Sequence, residues 1–226
     1  MNVAFNMDCM EAMKEMEDNQ FDLAIVDPPY GIGFGNYERT IDDRTGRGHT
    51  NKDWDDGIPK DIYFSELLRV TKNQIVWGGN YFPVLWDNAC RGFIFWYKHQ
   101  PVNTFADGEL AWVSFDRVAR CFDYLCYGNI GKDSVRLHPT QKPVKLYEWL
   151  LKNYAKKGDT ILDTHLGSGS SRIAAYNLGF DFTGYELDKD YFDAQQERFR
   201  NHISQRRIFD TPKQILIQEA MNFEEK

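Results

Sequence analysis

The sequence predicts a three-layer α/β fold built on a mainly parallel sheet. Short apolar runs alternate along the 226 residues with segments whose apolar positions recur at helical spacing. The turns between them are short, which sets successive elements side by side. Two of the runs stop abruptly, one at Asp27-Pro28-Pro29-Tyr30 and one at Asp163-Thr164-His165-Leu166-Gly167-Ser168-Gly169. Open α/β sheets bind ligands at such strand ends.

Residues 3–7 read as the first strand. Residues 9–17 read as a helix with Met10, Met13 and Met16 on one side. Residues 22–26 form a short apolar run bounded by Asp-Pro-Pro, as a buried parallel strand would be. Residues 60–70 read as a helix, and 74–77 and 93–97 as strands. An antiparallel hairpin is expected from 109–115 and 122–127. Pro143 opens a helix carrying Leu146, Trp149 and Leu150. Gly158-Asp159 is a turn, 160–163 a strand, 170–178 a helix stopped by Gly179, 182–186 a strand and 190–202 a helix. The chain is expected to form one domain, with 31–57 as a functional loop and no separate large recognition domain.

Hydrophobic residues make up 42% of the chain and aromatics 15%, which excludes a disordered protein. No apolar run is long enough to span a bilayer, and the first residues lack the basic segment of a secretory signal. Cys9, Cys90, Cys121 and Cys126 show no CxxC pair and no zinc spacing, so no metal is expected and a reducing cytoplasm is. The net charge of −7 argues against a nucleic-acid partner on its own. Between Arg117 and Lys145, however, six basic residues face two acids. Either a basic face or scattered solvated charges fits that count.

Asp27-Pro28-Pro29-Tyr30 combines acceptors with a flat ring. Two prolines remove two backbone donors, so the ladder cannot continue. Asp27 and the Pro28 carbonyl are placed to accept N–H groups from a planar amine, and Tyr30 to stack on its ring. The plain alternative is a turn that merely ends a strand. The run 163–171 is strand, glycine loop, helix, which lets a ligand approach backbone N–H groups closely. A dinucleotide fingerprint requires glycine three residues after Gly169, where Arg172 stands, so a nicotinamide cofactor is disfavoured. Glu186 ends the next strand, where an acid accepts ribose hydroxyls; a surface Glu is the rival reading. Asp8 with Glu11 fits a helix cap, which leaves a ligand contact open.

Together these residues resemble the DNA amino-methyltransferases, in the permuted group whose catalytic motif precedes the cofactor loop. Asp27, Pro28, Pro29 and Tyr30 look like that family's catalytic tetrad. Asp163 to Ser170 looks like its methionine-binding loop, Glu186 like its ribose acid, and Asn6-Met7-Asp8-Cys9 like the segment that binds the cofactor adenine. His138-Pro139-Thr140-Gln141-Lys142-Pro143 matches the segment before the glycine loop, and Trp77-Gly78-Gly79-Asn80 another cofactor-side motif. The resemblance runs over residues 2 to 200 in preserved order. His165 departs from it, standing where the family carries phenylalanine.

The resemblance implies a Rossmann-like methyltransferase fold and S-adenosylmethionine as cofactor. It implies transfer of a methyl group to N6 of an adenine flipped from duplex DNA, since Asp in the first tetrad position accompanies adenine. The expected catalytic residues are Asp27, Pro28, Pro29 and Tyr30. The expected cofactor residues are Asp8, Cys9, Asp27, Lys142, Asp163, His165, Leu166, Gly167, Ser168, Gly169, Ser170, Glu186 and Leu187. Expected DNA contacts are Phe34, Arg39, Arg44 and Arg47 in the loop, with Arg117, Arg120, Lys132 and Arg136 as a second basic group. A homodimer and a cognate restriction endonuclease are expected partners. N4 of cytosine in DNA, adenine in RNA and a non-catalytic DNA-binding scaffold are the alternatives.

Overall fold

A computed structural model describes residues 1–33, 55–86, 91–99, 106–125, 137 and 140–205. Among these, eight strands join one sheet: β1 (Asn2–Asn6), β2 (Leu23–Val26), β3 (Gln74–Trp77), β4 (Phe93–Tyr97), β5 (Gly108–Val113), β6 (Arg120–Asp123), β7 (Thr160–Asp163) and β8 (Asp181–Glu186). Their spatial order is β1-β8-β7-β2-β3-β5-β4-β6. Strand β5 runs against both neighbours, and every other pairing is parallel.

Helices cover both faces. On one side lie α1 (Cys9–Lys14) and α2 (Asp61–Val70), and on the other α3 (Val144–Tyr154) and α4 (Ser170–Leu178). The period of two along β2 divides the core between them. Ala24 and Val26 join Met13, Phe64 and Leu67 from the first pair of helices. Leu23 and Ile25 join Leu146, Leu150 and Ala174 from the second. A fifth helix, α5, runs over 189–205 and meets α4 where Tyr176 packs edge-on against Phe199. The three layers and the mainly parallel sheet are those read from the sequence. Among the described residues no helix is long and apolar enough to cross a membrane.

The expected hairpin of 109–115 with 122–127 does not form. Strand β4 lies between the two, antiparallel to β5 and parallel to β6. The reason lies in the burial each strand needs. Ala111, Trp112 and Val113 are all buried, so β5 requires a neighbour on each side. In β6 only Phe122 is buried, which suits the sheet edge it occupies.

Candidate active site

The strand order lines up four acids along one edge. Asp8 follows β1, Glu186 ends β8, Asp163 ends β7 and Asp27 follows β2, all at the carboxyl end of parallel strands. The first three belong to a tightly self-bonded half. Asp163 is buried, and its oxygens accept the His165 N–H at 3.0 Å and the Ser171 hydroxyl at 2.5 Å. It therefore shapes the glycine loop from beneath. Gly169 has φ of 75°, and a Cβ there would lie 3.1 Å from Gln195 on α5, so the turn demands glycine. Arg198 closes the loop from above, donating to the Ser168 carbonyl at 2.7 Å and the Ser170 hydroxyl at 3.0 Å. Leu166 is buried, and its N–H donates to the Tyr185 carbonyl at 2.9 Å.

Glu186 accepts the N–H of Gly167 at 2.7 Å and of Asp188 at 2.9 Å, which leaves lone pairs on both oxygens for ligand hydroxyls. Leu187 beside it is 71% exposed. Asp8 caps α1 through the Met10 N–H at 2.8 Å. A cleft of about 280 Å³ opens between Asp8, Cys9, Pro29, Ile58, Tyr63 and His165. Burial, then the adjacent Asp8 carboxylate, pushes the Cys9 thiol up to about 12, so it is no nucleophile near neutrality. Burial holds His165 down at about 4, a neutral imidazole whose Nδ1 lies 3.0 Å from the Thr164 hydroxyl.

The other half centres on Asp27 and is held by distant residues. One Asp27 oxygen accepts the Tyr30 phenol at 2.6 Å and the other the Lys142 ammonium at 2.5 Å. Lys142 also donates to the Tyr30 phenol oxygen at 3.2 Å and pairs with Glu109 at 3.0 Å. Glu109 pairs in turn with Lys98. The four charges alternate in sign, which lets Lys142 stay an ammonium at 2% exposure. Burial works against that charge, but Asp27 and Glu109 outweigh it and hold its pKa raised. Burial likewise opposes the Glu109 carboxylate, and Lys142 and Lys98 prevail to keep it ionised. Burial, followed by the Asp27 charge, pushes the Tyr30 phenol well above its usual range, so it remains a neutral donor.

The backbone of the tetrad is anchored from the far end of the loop. Asp55, 2% exposed, accepts the N–H groups of Tyr30 at 2.8 Å and Gly31 at 2.9 Å. Its own carbonyl accepts from Gly33 at 3.1 Å. Pro28 is buried, and Pro29 reaches the cleft beside Cys9. The Trp77-Gly78-Gly79-Asn80 stretch lies on this side too: a Cβ on Gly78 would sit 2.1 Å from the Tyr30 ring.

Residues 111–197 match the N6/N4 family model described as DNA methylase. Over those residues the chain is similar to the DNA amino-methyltransferases. The matched stretch includes the glycine loop and Glu186 but not the tetrad. A protein of Escherichia coli (strain K12) named as a candidate methylase, YubD, is 26% identical, covering 84% of this chain and 87% of its own. The structure of M1.HpyAVI in complex with SAM aligns at a TM-score of 0.58 and 21% identity, over 88% of this chain and 98% of that one. The cytosine-N4-specific PvuII DNA methyltransferase aligns at 0.59 and 13% identity, over 93% of each. These two likenesses place the fold among Rossmann-like methyltransferases.

The fold brings Asp8, Cys9, Asp163, His165, Gly167, Ser168, Gly169, Ser170 and Glu186 to one half of the edge. Lys142, expected among the cofactor residues, contacts Asp27 and Tyr30. Arg117 and Arg120 lie at the opposite, amino-terminal edge of the sheet. There Arg117 sits 5.8 Å and 5.7 Å from the rings of Phe115 and Tyr154. About 15 Å of strand separates that edge from Asp27. Phe34, Arg39, Arg44, Arg47, Lys132 and Arg136 fall outside the described residues. Sequence reasoning missed Asp55, Glu109 and Lys98. An acid in the apolar run Gly108–Val113 was the one available signal, pointing to Glu109.

Proposed function

We propose that this protein is an S-adenosylmethionine-dependent DNA methyltransferase acting on the N6 amino group of adenine. The observation that carries the reading is the single edge on which Asp8, Glu186, the glycine loop and Asp27 stand in order. That row supports an extended ligand lying from Asp8 to the glycine loop, with its far end beside Asp27. The residues suit the cofactor: a cleft with apolar walls for adenine, a carboxylate with spare lone pairs for ribose, and the amino-terminal turn of α4 after Gly169 for the carboxylate end. Bound there, the cofactor supplies an electrophilic methyl group.

Asp27 and the Pro28 carbonyl orient the amino group by accepting its N–H bonds, and Tyr30 supports the base by stacking. At 17% exposure the Asp27 side chain is too recessed to reach a base inside a duplex, which supports base flipping. Alignment of two bound reactants then supplies much of the rate, about 7–11 kcal/mol in favourable cases. Transfer to N4 of cytosine is the second reading, and the likeness to the cytosine-N4-specific PvuII enzyme supports it.

The test is incubation with methyl-labelled S-adenosylmethionine and unmethylated duplex DNA, followed by mass spectrometry of the nucleosides. N6-methyladenine is the expected product, and Asp27→Ala loses it while still binding cofactor. N4-methylcytosine replaces the first reading with the second. No label in DNA, single strands or RNA overturns both.

A further inference from the structure

Tyr30 is fixed on three sides. Its phenol is tied to Asp27 and Lys142, its N–H to Asp55, and its ring packs against Gly78. Phe82, fully buried, meets the ring edge-on at 6.2 Å and 65°. One further contact is of another kind. The ring of Tyr81 lies parallel to Tyr30, 5.0 Å between centroids and 12° between planes. Unlike the others, Tyr81 is 39% exposed. It ends the short turn Gly79–Tyr81, which starts from Gly78 in the left-handed region.

A flat base between two parallel rings requires roughly 7 Å of separation, two van der Waals thicknesses. The 5.0 Å here leaves no such gap. A base leaving a duplex arrives from solvent and meets the exposed ring before the buried ones. Exchanging one stacked ring for another keeps Tyr30 covered throughout.

Resting on the proposed reading of Asp27–Tyr30 as the target-base site, we propose that Tyr81 holds the stacking face of Tyr30 that the target base takes, and is displaced by that base. Tyr81 is then a competitor for the site and not its back wall. Purines and pyrimidines both present a flat face, so the role is the same for adenine and cytosine.

The two roles predict opposite signs. Removing a competitor strengthens productive binding of DNA, whereas removing a wall weakens it. On a duplex whose methylated position has been mapped, Tyr81→Ala is expected to lower the KM for DNA about three- to tenfold. The change is confined to KM, and Tyr81→Phe, which keeps the ring, restores the original value. With 2-aminopurine at the target position, Tyr81→Ala reaches its full fluorescence rise at lower protein concentration than the unaltered protein. An unchanged or raised KM, or a fall in kcat that Tyr81→Phe restores, overturns the proposal. Absence of transfer by the unaltered protein overturns the underlying reading and this proposal with it.

Discussion

The two halves of the candidate site are built by different means. In the cofactor half, the three acids bond to near neighbours in the chain: Asp163 to residues 2 and 8 positions on, Glu186 to residues 2 and 19 positions away, Asp8 to a residue 2 positions on, while Arg198 and Tyr63 reach the glycine loop from farther off. In the target half the polar groups bond across the chain. Asp27 and Lys142 are 115 residues apart, and Tyr30 and Asp55 are 25 apart. The first half is mainly a set of turns shaped by local bonds of its acids, closed from outside by Arg198. The second is an ion-pair and hydrogen-bond network that exists only when β2, β5 and the approach to α3 come together. Damage to the first should therefore stay local, and damage to the second should spread.

The largest expected effect follows from Lys142. Lys142→Met leaves Asp27 and Glu109 facing each other without the cation between them. Breaking a buried pair from one side costs about 3–5 kcal/mol, to be read as a fall in denaturant-unfolding stability. Adding Glu109→Gln to Lys142→Met should recover part of the loss. If the single variant unfolds with unaltered stability, the network contributes nothing and the contrast between the halves collapses.

That contrast also explains what the sequence made legible. The glycine loop, Glu186 and the Asp8 cap are local signals, and residues two to twenty apart announce them. The run 160–163, the helix 170–178 and the strand 74–77 fall where the alternation places them. The neighbours of Lys142 in sequence lead to the glycine loop, and nothing local shows that its ammonium reaches Asp27 and Glu109. Asp55 sits in an acid-rich segment whose composition reads as solvated surface, and nothing local distinguishes it from Asp56. Strand β4 lies where its apolar run predicts, but its place between β5 and β6 depends on which strand needs two neighbours. No periodicity within one strand reveals that.

A crossed pair of variants sharpens the comparison at smaller amplitude. Asp55→Ala strips the acceptor from the Tyr30 and Gly31 N–H groups, at about 1–3 kcal/mol of stability for the donors left unpaired. It should lower kcat while leaving cofactor affinity intact, because the Asp55 carboxylate holds the backbone N–H groups of Tyr30 and Gly31. Glu186→Gln should do the reverse. It removes a charged acceptor from the ribose position and weakens S-adenosylmethionine binding about tenfold or more in calorimetric titration, with a smaller change in kcat at saturating cofactor. Both variants shifting the same parameter would mean that the two halves act as one unit.

The smallest effect is a slope with pH, and it distinguishes two neighbours within the cofactor half. Burial raises Asp163 from 3.8 to about 7, against the opposing bonds from Ser171 and His165. Between about pH 4 and 7 the folded protein keeps a proton that the unfolded chain releases, so this group makes stability fall as pH rises. Burial lowers His165 from 6.5 to about 4, against a smaller pull from Asp8. The unfolded chain binds a proton there that the fold refuses. The His165 contribution is therefore complete above about 6.5 and lost as pH falls toward 4. The two slopes have opposite sign over nearly the same window and largely cancel in the unaltered protein. Each is at most about 1.4 kcal/mol per pH unit. Asp163→Asn should leave stability rising with pH across the window, and His165→Gln should leave it falling, both read from urea unfolding at pH 4.5, 5.5, 6.5 and 7.5. Identical slopes in both variants and the parent would mean that neither group titrates differently in the fold, and that the loop is open to water where the structure closes it.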